Sequence, residues 1–345
     1  MINNLASVLI KNQTIKNYKI VIPNKLKPGQ ILVKLKYAGV CGTQFMEYMG
    51  HKGKNNYLPH MIGHEGSGIV KSSNSTKGIK KGDKVIIHWM PSSGKNFNSN
   101  QYIYKNRIIN SGSCNTFAKY SIISENKCTV VNKLKLNFKN MALFGCSLPT
   151  AYGSYFKNIG IKDKKILVFG AGAIGINLIQ LINKRKNCEL FICDISNKKI
   201  LFAKKFLKIK NVKLLNLNFL SHRKLLSKNK ATFDIIFETT GLKKNIENSL
   251  KLIKINKKII LIGNTKNKVH ISINPFDFIL GKKIIGSYGG DFKPEKDIVK
   301  YYNFIKSNNI EIGRQISKIY PITQIKKIFK DYKSSKILGK ILIKL

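Results

Sequence analysis

A glycine-rich turn in the middle of the chain constrains its fold most. The apolar run Lys165–Gly170 leads directly into Gly170-Ala171-Gly172-Ala173-Ile174-Gly175, and that turn opens a segment with apolar residues at helical spacing. A strand feeding such a turn gives each glycine a purpose: one for the tight bend, one for close approach of a pyrophosphate, one for helix–strand packing, with phosphate at the helix N-terminus. The surrounding pattern agrees. Runs at Lys165–Gly170, Glu189–Ile195, Val212–Leu217, Phe233–Glu238 and Lys258–Gly263 read as buried strands, and Ile174–Lys186, Lys198–Leu207 and Lys244–Ile253 read as helices between them. Such alternation implies an α/β fold with a parallel, doubly wound sheet and right-handed crossovers.

Asp194 falls near the end of the second strand, 24 positions after Gly170. A carboxylate there can accept from both hydroxyls of an adenosine ribose and would repel a 2′-phosphate, which favours NAD over NADP. Lys198 and Lys199 lie close by. Asp194 can also cap the following helix, and the two roles are compatible.

Roughly the first 140 residues read differently. Strand-like alternation in Ile31–Val40, Gly68–Lys71 and Asp83–Trp89 is punctuated by turn signals at Pro28-Gly29 and Lys81-Gly82-Asp83. A β-rich domain therefore precedes the α/β domain, and a chain of 345 residues, 43% of them hydrophobic, is long enough for both. Met90 to Gly112 is polar and aromatic without regular periodicity, and reads as a long loop of the kind that usually carries function or moves.

Charge is extreme, with 63 Lys+Arg against 16 Asp+Glu, yet Arg occurs only at positions 107, 185, 223 and 314, leaving 63 − 4 = 59 lysines. They are spread along the chain among many Asn and Ile, with no basic stripe, and nucleic-acid recognition leans on clustered basic residues and on Arg. No nucleic-acid partner is expected, although such a surface attracts anionic metabolites at low ionic strength. The longest uncharged apolar runs, Ile166–Gly172 and Ile259–Gly263, fall far short of the roughly 20 residues of a membrane span. Met1 to Ile10 has no secretory signal pattern, so the expected location is the cytoplasm. Six cysteines, at 41, 114, 128, 146, 188 and 193, lack the spacing of a disulfide scaffold and are expected to be reduced, some as metal ligands.

In the β-rich part, Gly39-Val40-Cys41-Gly42-Thr43 follows a strand and Gly63-His64-Glu65-Gly66 comes soon after; Gly145-Cys146-Ser147-Leu148-Pro149-Thr150-Ala151-Tyr152-Gly153 stands at the entry to the α/β domain. Taken singly, a buried Cys or His is more often structural than a ligand. Together, upstream of a dinucleotide turn, these motifs resemble the zinc-dependent medium-chain dehydrogenase/reductase family of alcohol dehydrogenases and glutathione-dependent formaldehyde dehydrogenases. Ile273-Asn274-Pro275 and Gly286-Ser287-Tyr288-Gly289-Gly290 resemble the family's return to its catalytic domain, so the likeness spans the chain. It implies a GroES-like catalytic domain of residues 1–147 and 291–345 and a Rossmann cofactor domain of residues 148–290. It further implies one catalytic Zn2+ on Cys41, His64 and Cys146, with Glu65 beside the metal. Thr43 would hydrogen-bond the substrate oxygen. Gly170, Gly172, Ala173, Ile174, Gly175, Asp194, Lys199 and Thr150 would bind NAD. The substrate would be a small alcohol or aldehyde, and the assembly a homodimer or homotetramer using Ile284–Ser287 as an interface strand.

The chain departs from the family in three places. Many relatives carry four closely spaced cysteines for a structural zinc; between His64 and Glu125 this chain has only Cys114, so no structural zinc is expected and the 90–112 segment must be held otherwise. Where relatives have an Asp bonding the histidine ligand it has Gln44, whose amide oxygen could accept from the imidazole N–H. Where liver-type enzymes have a relay histidine it has Met46, leaving His51 or His60 as proton routes. Besides a zinc- and NAD-dependent dehydrogenase acting on an alcohol, polyol or sugar-derived substrate, two readings stay open: a zinc-free quinone or enone reductase of the same fold, and a non-catalytic cationic binding protein.

Overall fold

The N-terminal segments are rich in Ile, Val and Tyr, residues that suit a pleated, half-buried surface. In the computed structural model of the chain they form long strands: Ile2–Lys11 pairs antiparallel with Thr14–Ile22, and Gln30–Val40 with Gly66–Ser73. The structure describes residues 2–23, 25–97, 99–160, 162–207, 212–216 and 230–345. They divide into two units, Met1–Cys146 with Lys293–Lys306 and Ile316–Leu345, and Ser147–Phe292 with Ser307–Gln315.

The first unit holds two sheets. One runs in the order Thr14–Ile22, Ile2–Lys11, His60–Met61, Arg107–Gly112, Ser99–Tyr104. In the other, Gln30–Val40 lies between Gly66–Ser73 and the C-terminal strand Lys340–Lys344, and also pairs with Tyr120–Ser124. The register Ile341↔Val40 sets Lys340 beside the strand end that carries Cys41. Leu9, Val40, Ile62, Phe117, Ile328 and Ile341 pack into one core, and Ile31, Val33, Val70, Val85 and Ile87 into another.

The second unit is built on a six-stranded sheet, wholly parallel, in the order Val212–Asn216, Glu189–Asp194, Lys165–Phe169, Phe233–Glu238, Ile253–Leu261, Lys283–Gly286. Strands covered on both faces need apolar residues on both, which is why they stand out as short continuous runs. The helices Ala173–Asn183, Asn197–Leu207 and Lys243–Leu252 lie between them in sequence. Leu217, expected to end a strand, lies outside the described residues. The strand expected at Lys258–Gly263 starts five residues earlier, at Ile253, and ends at Leu261. Ser307–Gln315 joins this unit through a buried reciprocal amide pair, Asn177 Nδ2 to Gln315 Oε1 at 2.8 Å and Gln315 Nε2 to Asn177 Oδ1 at 3.0 Å. Among the described residues no helix is long and apolar enough to cross a membrane.

The Met90–Gly112 stretch is not a continuous loop. Its second half is an antiparallel hairpin, Ser99–Tyr104 with Arg107–Gly112, turned through Lys105 and Asn106 at φ +47° and +58°. Tyr102 and Ile109 form its buried pair, while the cross-strand pair Ile103 and Ile108 is 74% and 54% exposed. Apolar residues on both faces hide the period-two signal, and Lys-Asn is a weak hairpin turn beside Asn-Gly. The preceding segment is held by the buried Glu125 carboxylate, which accepts from Ser75 Oγ at 2.7 Å, Thr76 N at 2.7 Å, Thr76 Oγ1 at 2.6 Å and Lys95 N at 2.8 Å.

Candidate metal centre and dinucleotide turn

Cys41 directly follows the strand Gln30–Val40 and stands at the N-cap of the helix Gly42–Tyr48. His64 and Glu65 immediately precede the neighbouring strand Gly66–Ser73, and Cys146 follows the helix Phe138–Leu143 by three residues. One ligand atom from each of Cys41, His64, Glu65 and Cys146 falls within 4.8 Å of the others. Cys41 Sγ and Cys146 Sγ are 3.9 Å apart. A tetrahedral zinc with Zn–S bonds of about 2.3 Å sets two sulfurs about 3.8 Å apart, so the pair fits such an ion. His64 Nε2 and Glu65 Oε2 are buried without hydrogen-bond partners, as free ligand atoms would be.

The glycines of the three motifs make room for this cluster. A Cβ on Gly39 would come within 2.6 Å of the Glu65 carboxyl carbon, and one on Gly145 within 2.6 Å of Glu65 Cβ and 2.4 Å of Ile87 O. Gly63 turns the chain at φ +102°, and a Cβ there would meet Thr116 Oγ1 at 2.5 Å.

Electrostatics tie the cluster together. The Cys146 thiol donates to the Cys41 sulfur. That bond, against the effect of burial and with help from His64 and Lys340, holds Cys41 well below the ordinary thiol value; the same bond and burial push Cys146 up. Glu65 is raised by burial, opposed by the ammonium of Lys340, which pairs with Glu65 Oε1. Burial alone would lower Lys340, but Glu65, Cys41 and Cys146 together raise it. Both side chains of the pair are fully buried, and removing either would strand an uncompensated charge. The sequence gives no warning of Lys340: it is one of 59 lysines (63 Lys+Arg less four Arg), marked only by the apolar run Ile341–Ile343 that follows.

Thr43 Oγ1 lies 3.6 Å from Cys41 Sγ. The Gln44 amide oxygen does not accept from the imidazole as expected; it is taken by Cys41 N–H at 2.8 Å, and the amide nitrogen faces His64 Nδ1. His51 is half-buried just past the 42–48 helix. His60 has both ring nitrogens engaged, Nδ1 at 2.9 Å from Met61 O and Nε2 at 2.9 Å from Glu47 Oε1.

In the second unit, Gly170 makes the turn at φ +94°. A Cβ on Gly175 would sit 1.8 Å from Gly170 O, which explains the close helix–turn packing; a Cβ on Gly172 would meet nothing within 4 Å. Gly172 is the N-cap of the helix that Ala173 and Ile174 begin, and no side chain caps it. Asp194 is buried, with Oδ2 accepting from Ala171 N–H at 2.9 Å and Oδ1 from Ser196 N–H at 2.8 Å. An ionised carboxylate keeps further lone pairs for two hydroxyls. The helix cap itself is Ser196, whose Oγ accepts from Lys199 N–H at 3.4 Å, while Lys199 is half-buried in the first turn. Thr150 is buried on the helix Ser147–Asn158, where a Cβ on Gly153 would lie 2.1 Å from Gly290 O and one on Gly290 2.6 Å from Thr150 O. Gly153 and Gly290 are thus required by backbone-to-backbone packing within this unit. The metal set is gathered in the first unit and the dinucleotide set in the second.

Residues 27–133 match the family model of the alcohol dehydrogenase GroES-like domain. The chain is 24% identical to an S-(hydroxymethyl)glutathione dehydrogenase of Komagataella pastoris, over 93% of this chain and 91% of that protein. The crystal structure of benzyl alcohol dehydrogenase from Acinetobacter calcoaceticus has the same fold, with a TM-score of 0.82, 20% identity and all of both chains covered. So does an alcohol dehydrogenase of Escherichia coli CFT073 solved with NADH, with a TM-score of 0.79, 16% identity and coverage of 99% of this chain and 100% of that one.

Proposed function

We propose, for a chain that belongs to the alcohol dehydrogenase-like medium-chain dehydrogenase/reductase family, that it is a zinc-dependent oxidoreductase exchanging a hydride between NAD(H) and an alcohol, aldehyde or ketone carbon. The observation that carries this reading is the convergence of two thiols and one unpartnered imidazole nitrogen within 4.8 Å. Cys41, His64 and Cys146 would hold zinc, which would supply a Lewis acid for the substrate oxygen, while nicotinamide would supply or accept the hydride. The chain's own residues do the rest. Thr43 Oγ1, next to Cys41, would hydrogen-bond the substrate oxygen and hold the proton that leaves or enters there. Lys340 keeps Glu65 paired beside the two cysteines. The helix N-terminus at Gly172 would take the pyrophosphate, and Asp194 the ribose hydroxyls. A single zinc per chain, with Glu125 bracing the segment where relatives hold a second, belongs to the same reading. Among the described residues Lys283–Gly286 is an edge strand of its sheet, which supports a homodimer or homotetramer that a solution mass measurement checks.

The direct test is a spectrophotometric screen of primary and secondary alcohols, polyols and the matching carbonyls with NAD(H), using zinc-loaded wild type and Cys41→Ser. NAD-linked turnover that disappears in the variant supports the proposal. Reduction of quinones or enones unchanged by Cys41→Ser would move the assignment to a zinc-free reductase.

A further inference from the structure

The Gln44 side chain bridges two groups with opposite demands. Its Oε1 accepts from Cys41 N–H at 2.8 Å, one half of a capping box on the 42–48 helix. A backbone N–H can only donate, so this bond fixes which end of the amide is oxygen. The other end, an NH2 that can likewise only donate, faces His64 Nδ1. Nδ1 is therefore bare, and a neutral imidazole bare at Nδ1 carries its proton on Nε2. Nε2 is buried without a hydrogen bond, 4.0 Å from Glu65 Oε1, and His64 is gathered with Cys41, Glu65 and Cys146. A metal bound at Nε2 needs the lone pair that this proton occupies.

We infer that Gln44 is a positioning residue that holds metal-free His64 in the Nε2–H tautomer, so that metal loading requires the amide to turn over and release its cap on Cys41. The inference rests on the zinc reading above. Turned over, the amide sets its oxygen against an Nδ1–H but its NH2 against Cys41 N–H, two donors facing each other. Neither orientation satisfies both neighbours once a metal is bound. A carboxylate at this position, with two acceptor oxygens, satisfies both, so the amide keeps zinc affinity below what the ligand set would otherwise reach.

Wild type, Gln44→Glu and Gln44→Met separate the possibilities through two readouts: the His64 tautomer in metal-free protein by long-range 1H–15N NMR, and the Zn2+ Kd by chelator competition. NADH binding reports that each variant is folded. Metal-free wild type is expected to carry the neutral-ring proton on Nε2. Gln44→Glu is expected to carry a proton on Nδ1 and to bind zinc about 10- to 100-fold more tightly. Gln44→Met, which removes the opposing amide, is expected to bind zinc no more weakly than wild type. A wild-type proton on Nδ1, an unchanged Kd in Gln44→Glu, or a Kd about tenfold or more weaker in Gln44→Met would overturn the inference. A wild type that binds no zinc overturns the functional reading instead and leaves the tautomer to decide this one.

Discussion

Two positions beyond Cys41, the Thr43 Oγ1 lies 3.6 Å from the cysteine sulfur, and under the proposed function its hydroxyl would share a proton with the substrate oxygen. Thr43→Ala is expected to lower kcat/KM by about 10²- to 10⁴-fold with zinc content unchanged, and Thr43→Ser to restore most of it. His88 makes a different prediction. Its Nδ1 donates to Met90 O at 2.7 Å and its Nε2 accepts from Thr129 Oγ1 at 2.9 Å, and burial lowers it from 6.5 to about 3. A folded-state value below the unfolded one means that stability is full above 6.5 and is lost as pH falls from 6.5 toward 3. The urea midpoint should therefore drop between pH 7 and pH 5, and His88→Gln should flatten that drop; an unchanged pH dependence would contradict it. Residues such as Cys41, His64 and Cys146 are legible in sequence because a glycine with a steric purpose, Gly39, Gly63 or Gly145, lies within two residues of each. Lys340 and the orientation of Gln44 are not, since one depends on strand pairing across 300 positions (341 against 40) and the other on a helix cap.

At the scale of elements, the glycine turn separates packing from binding. Gly172→Ala adds a methyl into open space and should leave the melting temperature unchanged while weakening NADH binding by about tenfold, ~1.4 kcal/mol. Gly175→Ala drives a Cβ to 1.8 Å from Gly170 O and should destabilise the second unit by about 1–3 kcal/mol or more. Calorimetry with NADH titration distinguishes the two. Glu125 gives the corresponding test in the first unit. Burial alone would raise its pKa, but the donors of Lys95, Thr76 and Ser75 hold it down to about 2 from 4.5, so its contribution is full above 4.5 and disappears as pH falls toward 2. Glu125→Gln should cost on the order of 3 kcal/mol at neutral pH and raise proteolysis near Gly94. The parallel strands were readable as continuous apolar runs. The 99–112 hairpin was not, because Ile103 and Ile108 put apolar residues on its outer face.

For the whole molecule, a formal net charge of +47 means that folding gathers like charges, and added salt should raise the melting temperature by screening them. The lysines that carry this charge are spread along the chain with no basic stripe, and the thiol–imidazole cluster and the glycine turn are each assembled inside their own unit. Under the proposed function, Cys41, His64 and Cys146 bind one catalytic zinc independently of the dinucleotide turn. Metal content per chain of purified wild type and Cys146→Ala, followed by NADH binding and turnover of each, tests it most directly. About one zinc is expected in the wild type, with loss of zinc and turnover but intact NADH binding in the variant. A folded, NADH-binding wild type that takes up no zinc would contradict it.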